Sequence, residues 1–328
     1  MSTPLPDDFS EEDYAFALNC AKLASQTYDD DDNDVVNALL KAVKGIDNVK
    51  EQSFTTPDYE VIESTKNNSL LKSIRDDGLD YSLFKHKDTG HLVLAFRGTE
   101  PLSIADWLSD AKQVLGKSRQ YKTAVGLAKR KVKDLGENGD VEISFTGHSL
   151  GGGLATACAL ATGKKAVVFD AAGLSGATTD ELDLPDLMIE ANKANITNIN
   201  VRECFVSDWN KKMDDTTLGT LPLFPCNQYG RQIWLESVSK EAKFKGLLSL
   251  LPGVVESFLE TFLNHAWHVY TYQLENRKFL PHESTPTSSN ENDSTMAPSE
   301  TVAKRNRSHV DATPPNAVTP SNKKQKTD

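Results

Sequence analysis

Apolar positions recur along this chain with two periods, and each change of period marks an element. Ser10-Glu11-Glu12-Asp13 reads as a helix start in which an acid at the third helical position answers the capping serine. Tyr14, Ala17, Leu18, Ala21 and Ala24 follow at helical spacing. A second helix is expected from Val35 to Val43. Tyr81 to Phe84 and His91 to Phe96 flank Lys87-Asp88-Thr89-Gly90, which is a hairpin signal. Helical segments are predicted from Ile104 to about Val114 and from Ser118 to Leu135, the second amphipathic and ending at Gly136. Val141 to Phe145 reads as a strand, and Leu154 to Ala161 as a helix of small residues. Ala166 to Phe169 is a short buried strand ending in Asp170, and Pro185 to Ala194 looks helical. Ile199 to Val206 reads as a strand ending at Ser207-Asp208, and Arg231 to Leu235 as another. Lys240 to Leu263 is mostly helical, with a break at Pro252-Gly253. Strands that alternate with helices imply an α/β fold, with a mostly parallel sheet flanked by helices on both faces.

Composition divides the 328 residues unequally. No aromatic residue follows Phe279, and Ser, Thr, Pro, Asn and charge dominate from about Glu283 onward. Such a segment buries too little apolar surface to offset its ordering entropy. The expectation is one domain over 1–280 and a disordered tail over 281–328. The net charge of −11 argues against nucleic-acid binding and against strong attraction to anionic membranes. Cys20, Cys158, Cys204 and Cys226 form no CxxC pair and no zinc spacing, and Cys158 (on a helix) and Cys204 (in a strand) read as small buried hydrophobes. The N-terminus carries no basic and then apolar segment of the signal-peptide kind, and no stretch is apolar enough to span a bilayer. A cytoplasmic protein is therefore expected. The basic clusters Lys304-Arg305-Asn306-Arg307 and Lys323-Lys324-Gln325-Lys326 read as solvated charge, with nuclear import as the alternative, and export without a signal peptide stays open. Asp29 to Asp34 does not fit a calcium loop, because Asp34 stands where glycine is needed and Leu40 where the bidentate acid should be. It is expected to be a solvated loop. The acids between Thr179 and Asp186 are read in the same way.

The chemistry centres on Gly147-His148-Ser149-Leu150-Gly151. A Gly-x-Ser-x-Gly between a strand and a helix is the context of a nucleophile elbow, whose sharp turn exposes a serine hydroxyl above the sheet. A serine hydroxyl is a weak nucleophile, so it needs a base and the base needs an orienting acid. In such folds the order along the chain is serine, acid, histidine. His86 and His91 precede the serine, His148 lies inside the elbow, and His282 and His309 belong to the tail or its edge. His265 and His268 remain, with His265 the first candidate because it sits at a junction after a long helix. For the acid, Asp208 and Asp170 both lie at carboxyl ends of strands, where α/β sheets place their sites. Asp208 is the first candidate because it follows the later strand. The Leu150 N–H at the helix start and Thr99, after Phe96-Arg97-Gly98, are the candidate oxyanion donors.

Phe96-Arg97-Gly98-Thr99-Glu100, Asp106-Trp107-Leu108-Ser109-Asp110, Gly147 to Gly152, and Tyr229 to Leu235 in this order resemble the class 3 (fungal-type) lipase family of α/β-hydrolases, over most of residues 10–275. The resemblance implies Ser149 as nucleophile, Asp208 as acid, His265 as base, and Thr99 and Leu150 as oxyanion donors. It implies hydrolysis of carboxylic esters, acyl lipids above all, with no metal and no organic cofactor. The chain departs from the family at Asp170, where relatives more often carry a neutral residue, and in a longer gap between Asp208 and Leu221 to Pro225. The segment matching the mobile lid of fungal relatives is Ser103 to Trp107. The apolar run Leu247 to Val255 reads as core packing, with a lipid-facing flap as the alternative.

Overall fold

A computed structural model of the chain describes residues 3–41, 43–44, 49, 54–66, 78–99, 118–138, 141–204, 206, 226–238, 243–244 and 263–280. Its centre is a seven-stranded sheet whose strands lie side by side in chain order. They are β1 (Tyr59–Ser64), β2 (Tyr81–His86), β3 (Leu92–Phe96), β4 (Ile143–His148), β5 (Ala166–Phe169), β6 (Ile196–Val201) and β7 (Arg231–Leu235). β1, β2 and β3 pair antiparallel, which bears out the hairpin, and β3 to β7 are parallel. Two short ribbons pair Val43–Lys44 with Lys243–Phe244 and Leu174–Ser175 with Cys226–Asn227. This is the mostly parallel α/β sheet expected of the alternating pattern, and it fits the α/β-hydrolase fold that the resemblance implies.

The helices cover both faces. They are α1 (Glu11–Ser25), α2 (Asp30–Lys41), α3 (Ser118–Asn138), α4 (Leu150–Thr162), α5 (Gly176–Glu181), α6 (Asp186–Asn192) and α7 (Trp267–Glu275). One core lies beneath α1 and α7 and takes Val93, Ala95, Val167, Phe169, Ile199 and Ile233 from the sheet. The other lies beneath α3 and α4 and takes Leu92, Leu94, Phe96, Phe145 and Val168. Alternate residues of β3 and β5 go to opposite cores, as the period of two requires. Fully buried strands explain why these segments read as continuous apolar runs.

α1 forms the expected cap: the Ser10 hydroxyl accepts from the Asp13 N–H at 3.0 Å, and the Asp13 carboxylate accepts from the Ser10 N–H at 3.2 Å. α3 continues past Gly136, since glycine in a helix costs only about 1 kcal/mol against alanine. Three expectations are corrected. α2 begins at Asp30 rather than Val35, so the acidic run is helix and not solvated loop. Acids suit a first turn because the helix dipole favours negative charge there, and the Asp32 carboxylate accepts the Asp29 N–H at 3.0 Å. The segment after Ser175 is likewise helical to Glu181, with the Ser175 hydroxyl capping Thr178 N–H at 3.2 Å. β6 runs from Ile196 to Val201, earlier than expected, and shortly beyond it Glu203 adopts a φ of 62°, which an extended strand cannot contain. The Ile104 to Val114 helix, the Lys240 to Leu263 segment with its apolar run, and the tail with its basic clusters lie outside the described residues.

Candidate active site at the end of strand β4

β4 ends at His148, and α4 starts at Leu150, so one residue must turn the chain. That residue is Ser149, held at φ 57° and ψ −124°. Such a conformation costs on the order of 1–3 kcal/mol and persists only where its surroundings fix it. Here the Ser149 N–H donates to the Phe169 carbonyl at 3.0 Å, and its own carbonyl accepts from Gly153 at 3.1 Å and Ala172 at 2.9 Å. The flanking glycines are required by contact. A Cβ on Gly147 would fall on the main chain of Gly151, and one on Gly151 would fall on the Phe96 carbonyl. The elbow is therefore present as expected. Ser149 is nevertheless only 4% exposed, so the open hydroxyl expected of such a turn is not what the structure has.

Of the two late histidines, His265 is brought to the elbow. Its ring lies 4.4 Å, centroid to centroid, from that of His148, the residue before the serine. His268 is on the first turn of α7, where its ring meets Phe54 at 4.9 Å and Trp267 at 5.7 Å. It begins a structured segment, as its place after His265 suggests. His265 is 1% exposed, and burial together with His148 holds its imidazole well below the usual histidine range. His148 is pushed down to about 3, first by burial, with the main chain of His265 pulling the other way. Both rings are thus neutral at pH 7, the state that a general base needs.

Asp170 follows β5 directly, at φ 41°, and is fully buried. Its carboxylate accepts the Val201 N–H at 2.9 Å. One donor atom each from His148, Asp170 and His265 lie within 4.8 Å of one another, a grouping whose side chains could also hold a metal ion. Cys204, read from sequence as a strand residue, instead lies beyond the end of β6, with its Sγ 3.1 Å from His265 Nδ1. Asp208, the other candidate acid, lies outside the described residues.

The segment after β3 passes alongside the serine. A Cβ on Gly98 would stand 3.3 Å from the Ser149 Cβ and 2.6 Å from the His148 carbonyl oxygen, and would collide with the Tyr28 hydroxyl. Thr99 is the next residue in the chain, and Leu150 opens α4 directly after the turn. Tyr28 was not singled out by sequence. Its hydroxyl lies 2.7 Å from His148 Nδ1 and interacts with the Gly98 main chain, while its ring stacks on Trp267 at 3.9 Å. Arg97 is clamped by Asp32 at 2.6 Å, Asp80 at 3.2 Å and Asp29 at 3.4 Å. A tyrosine 120 positions from its histidine leaves no local signal in the chain. The acidic run that opens α2 did carry one, but its pairing with Arg97 was not legible.

Residues 19–203 match the model of the Tle-like phospholipase domain, a phospholipase-like family. A curated extracellular phospholipase A1 from Serratia liquefaciens is 40% identical over 113 residues, which is 34% of this chain and 34% of that protein. The chain thus matches only about a third of that relative's length. Among solved structures, the Rhizomucor miehei lipase propeptide complex is 13% identical, with 81% of this chain and 90% of that one covered at a TM-score of 0.46. The Lip2 lipase of Yarrowia lipolytica is 16% identical, with 82% and 96% covered at 0.45. The Serratia protein is named as extracellular, and this overturns the cytoplasmic expectation. The resemblance to lipases stands, and with a family domain that takes up more than half of the sequence, this chain belongs to the Tle-like phospholipase family.

Proposed function

We propose that this protein hydrolyses the carboxylic esters of acyl lipids, phospholipids first among them, with Ser149 as nucleophile and His265 as general base. The observation that carries this reading is a strained serine on a strand–helix elbow with the buried imidazole of His265 against the residue before it. The Ser149 hydroxyl attacks the ester carbonyl as His265 takes its proton. The Leu150 N–H and Thr99 receive the negative charge on the carbonyl oxygen. His265 returns the proton to the departing lysolipid oxygen. Water, deprotonated by the same imidazole, then releases the fatty acid from the acyl-serine.

The family membership and the name of the Serratia relative support a phospholipid substrate and secretion of the protein. No helix among the described residues is long and apolar enough to cross a membrane. The negative charge of the chain makes apolar contact, rather than attraction to anionic headgroups, the route to a lipid surface. The reading is tested by incubating the protein and its Ser149→Ala variant with phosphatidylcholine vesicles and a short-chain p-nitrophenyl ester, and by labelling both with a fluorophosphonate probe. Fatty-acid release, ester turnover and labelling are all expected to vanish in the variant. Turnover that survives the substitution would end the proposal, and a parent protein that is neither labelled nor active would make it a silent binding module on this fold.

A further inference from the structure

We infer that Tyr28 is a positioning residue of the reaction: its hydroxyl ties the segment that carries Thr99 to the elbow, and so sets where that donor stands relative to Ser149. This rests on reading Ser149 as nucleophile and Thr99 as oxyanion donor.

Tyr28 lies in the turn between α1 and α2, away from the strand ends that carry the candidate site. It nevertheless meets all three segments of that site. Its hydroxyl is 2.7 Å from Nδ1 of His148, the residue before the nucleophile. The same oxygen bonds the main chain of Gly98, the residue before Thr99. Its ring stacks at 3.9 Å on Trp267, two residues after His265. The turn is anchored from outside the site: the Lys66 ammonium donates to the Tyr28 carbonyl and, at 3.3 Å, to that of Gln26. Burial holds the phenol well above its ordinary range, so the hydroxyl keeps its one proton. The Gly98 contact favours the phenolate, which marks it as an N–H donating to the oxygen. The phenol proton then goes to His148 Nδ1, and the neutral imidazole carries its own proton on Nε2. Packing does not ask for this hydroxyl. Phenylalanine would make the same stack on Trp267 and would spare the cost of burying a polar group. What the hydroxyl adds is a bridge between two segments far apart in the chain. The gap it spans is narrow, since a Cβ on Gly98 would stand 3.3 Å from the Ser149 Cβ. Arg97, one residue earlier, is clamped to Asp32 at 2.6 Å, which fixes the segment to α2 but not to the serine. A group displaced by about 1 Å from its productive place can cost on the order of 10²-fold in rate.

The experiment measures turnover of a short-chain p-nitrophenyl ester by the full chain and by its Tyr28→Phe, His148→Phe and double variants. Each rate is divided by the concentration of active sites, titrated to completion with a fluorophosphonate. Tyr28→Phe is expected to lower kcat per site by on the order of 10²-fold, with KM within about threefold of the parent. A bridge already broken at one end loses nothing more at the other. The double variant is therefore expected to lie within about threefold of His148→Phe alone. A tyrosine that only stabilises the fold would lower the number of titratable sites and leave kcat per site at the parental value, and that result overturns the proposal. A double variant in which the two losses multiply overturns it as well. Should one single variant fail to fold by circular dichroism, the other decides alone: a loss on the order of 10²-fold per site supports the bridge, and a kcat within about threefold of the parent removes it. Residual turnover in Ser149→Ala would instead sink the reading of the serine, a separate outcome.

Discussion

At the scale of single residues, the candidate site is a set of close approaches that tolerate no added atom. Gly98 has Tyr28, His148 and Ser149 around the place where a Cβ would go. Gly98→Ala should therefore displace the strand-end segment from the serine and lower kcat by on the order of 10²-fold, as loss of an oxyanion donor does. Thermal melting should show that the fold persists, and an unchanged kcat would refute the placement of the oxyanion loop. Tyr28 links three parts of the site through one hydroxyl and one stacked ring. Tyr28→Phe keeps the stack and leaves buried polar groups unanswered, which costs about 1–3 kcal/mol. Urea titration should find that loss, and a stability equal to the parent's would show that the hydroxyl bonds are energetically idle.

At the scale of elements, what matters is how each one is anchored. α1 is secured at its start by a reciprocal pair of bonds at Ser10 and Asp13. Ser10→Ala should cost about 1 kcal/mol, visible as a lower melting temperature without any change in activity. The anchoring of α2 is of another kind. Its first turn carries Asp32, buried and 2.6 Å from Arg97, so this helix and the segment after β3 are held together by charge. Arg97→Met would leave Asp32 buried without its cation, and breaking such a pair by removing one partner costs about 3–5 kcal/mol. Chemical denaturation should show a loss of that size, with ester turnover reduced as Gly98 and Thr99 lose their support. A change below about 1 kcal/mol would mean that the pair behaves like an exposed one. The acidic run was legible as charge but not as helix, because its destination, an arginine 65 positions away, is set by packing.

At the scale of the whole molecule, buried histidines tie stability to pH. Burial lowers His148 to about 3 and His268 to about 4. Both values fall below the ordinary range near 6.5, so the unfolded chain binds protons that the folded chain refuses. The stability they contribute is fully present above about pH 6.5 and is lost as pH falls toward 4, together on the order of several kcal/mol. Unfolding free energies from urea titrations at pH 7.5, 6 and 4.5 should fall steadily. His268→Gln should flatten part of that slope while leaving ester turnover in place at pH 7.5. A slope unchanged by His268→Gln would remove that residue from the account.

Local patterning sufficed for whatever depends on a few neighbouring residues. The capping box, the hairpin around Lys87 to Gly90, the buried strand Ala166–Phe169, the strand Arg231–Leu235, and the elbow around Ser149 are written in periods of two and 3.6 and in glycines that a turn demands. Which late histidine lies beside the elbow, the end of β6 before Cys204, the destination of the acidic run, and the meeting of Tyr28 with His148 were decided by the fold alone. Each depends on which chain segments the parallel sheet brings side by side, and distance in space across such a sheet leaves no periodic trace along the chain.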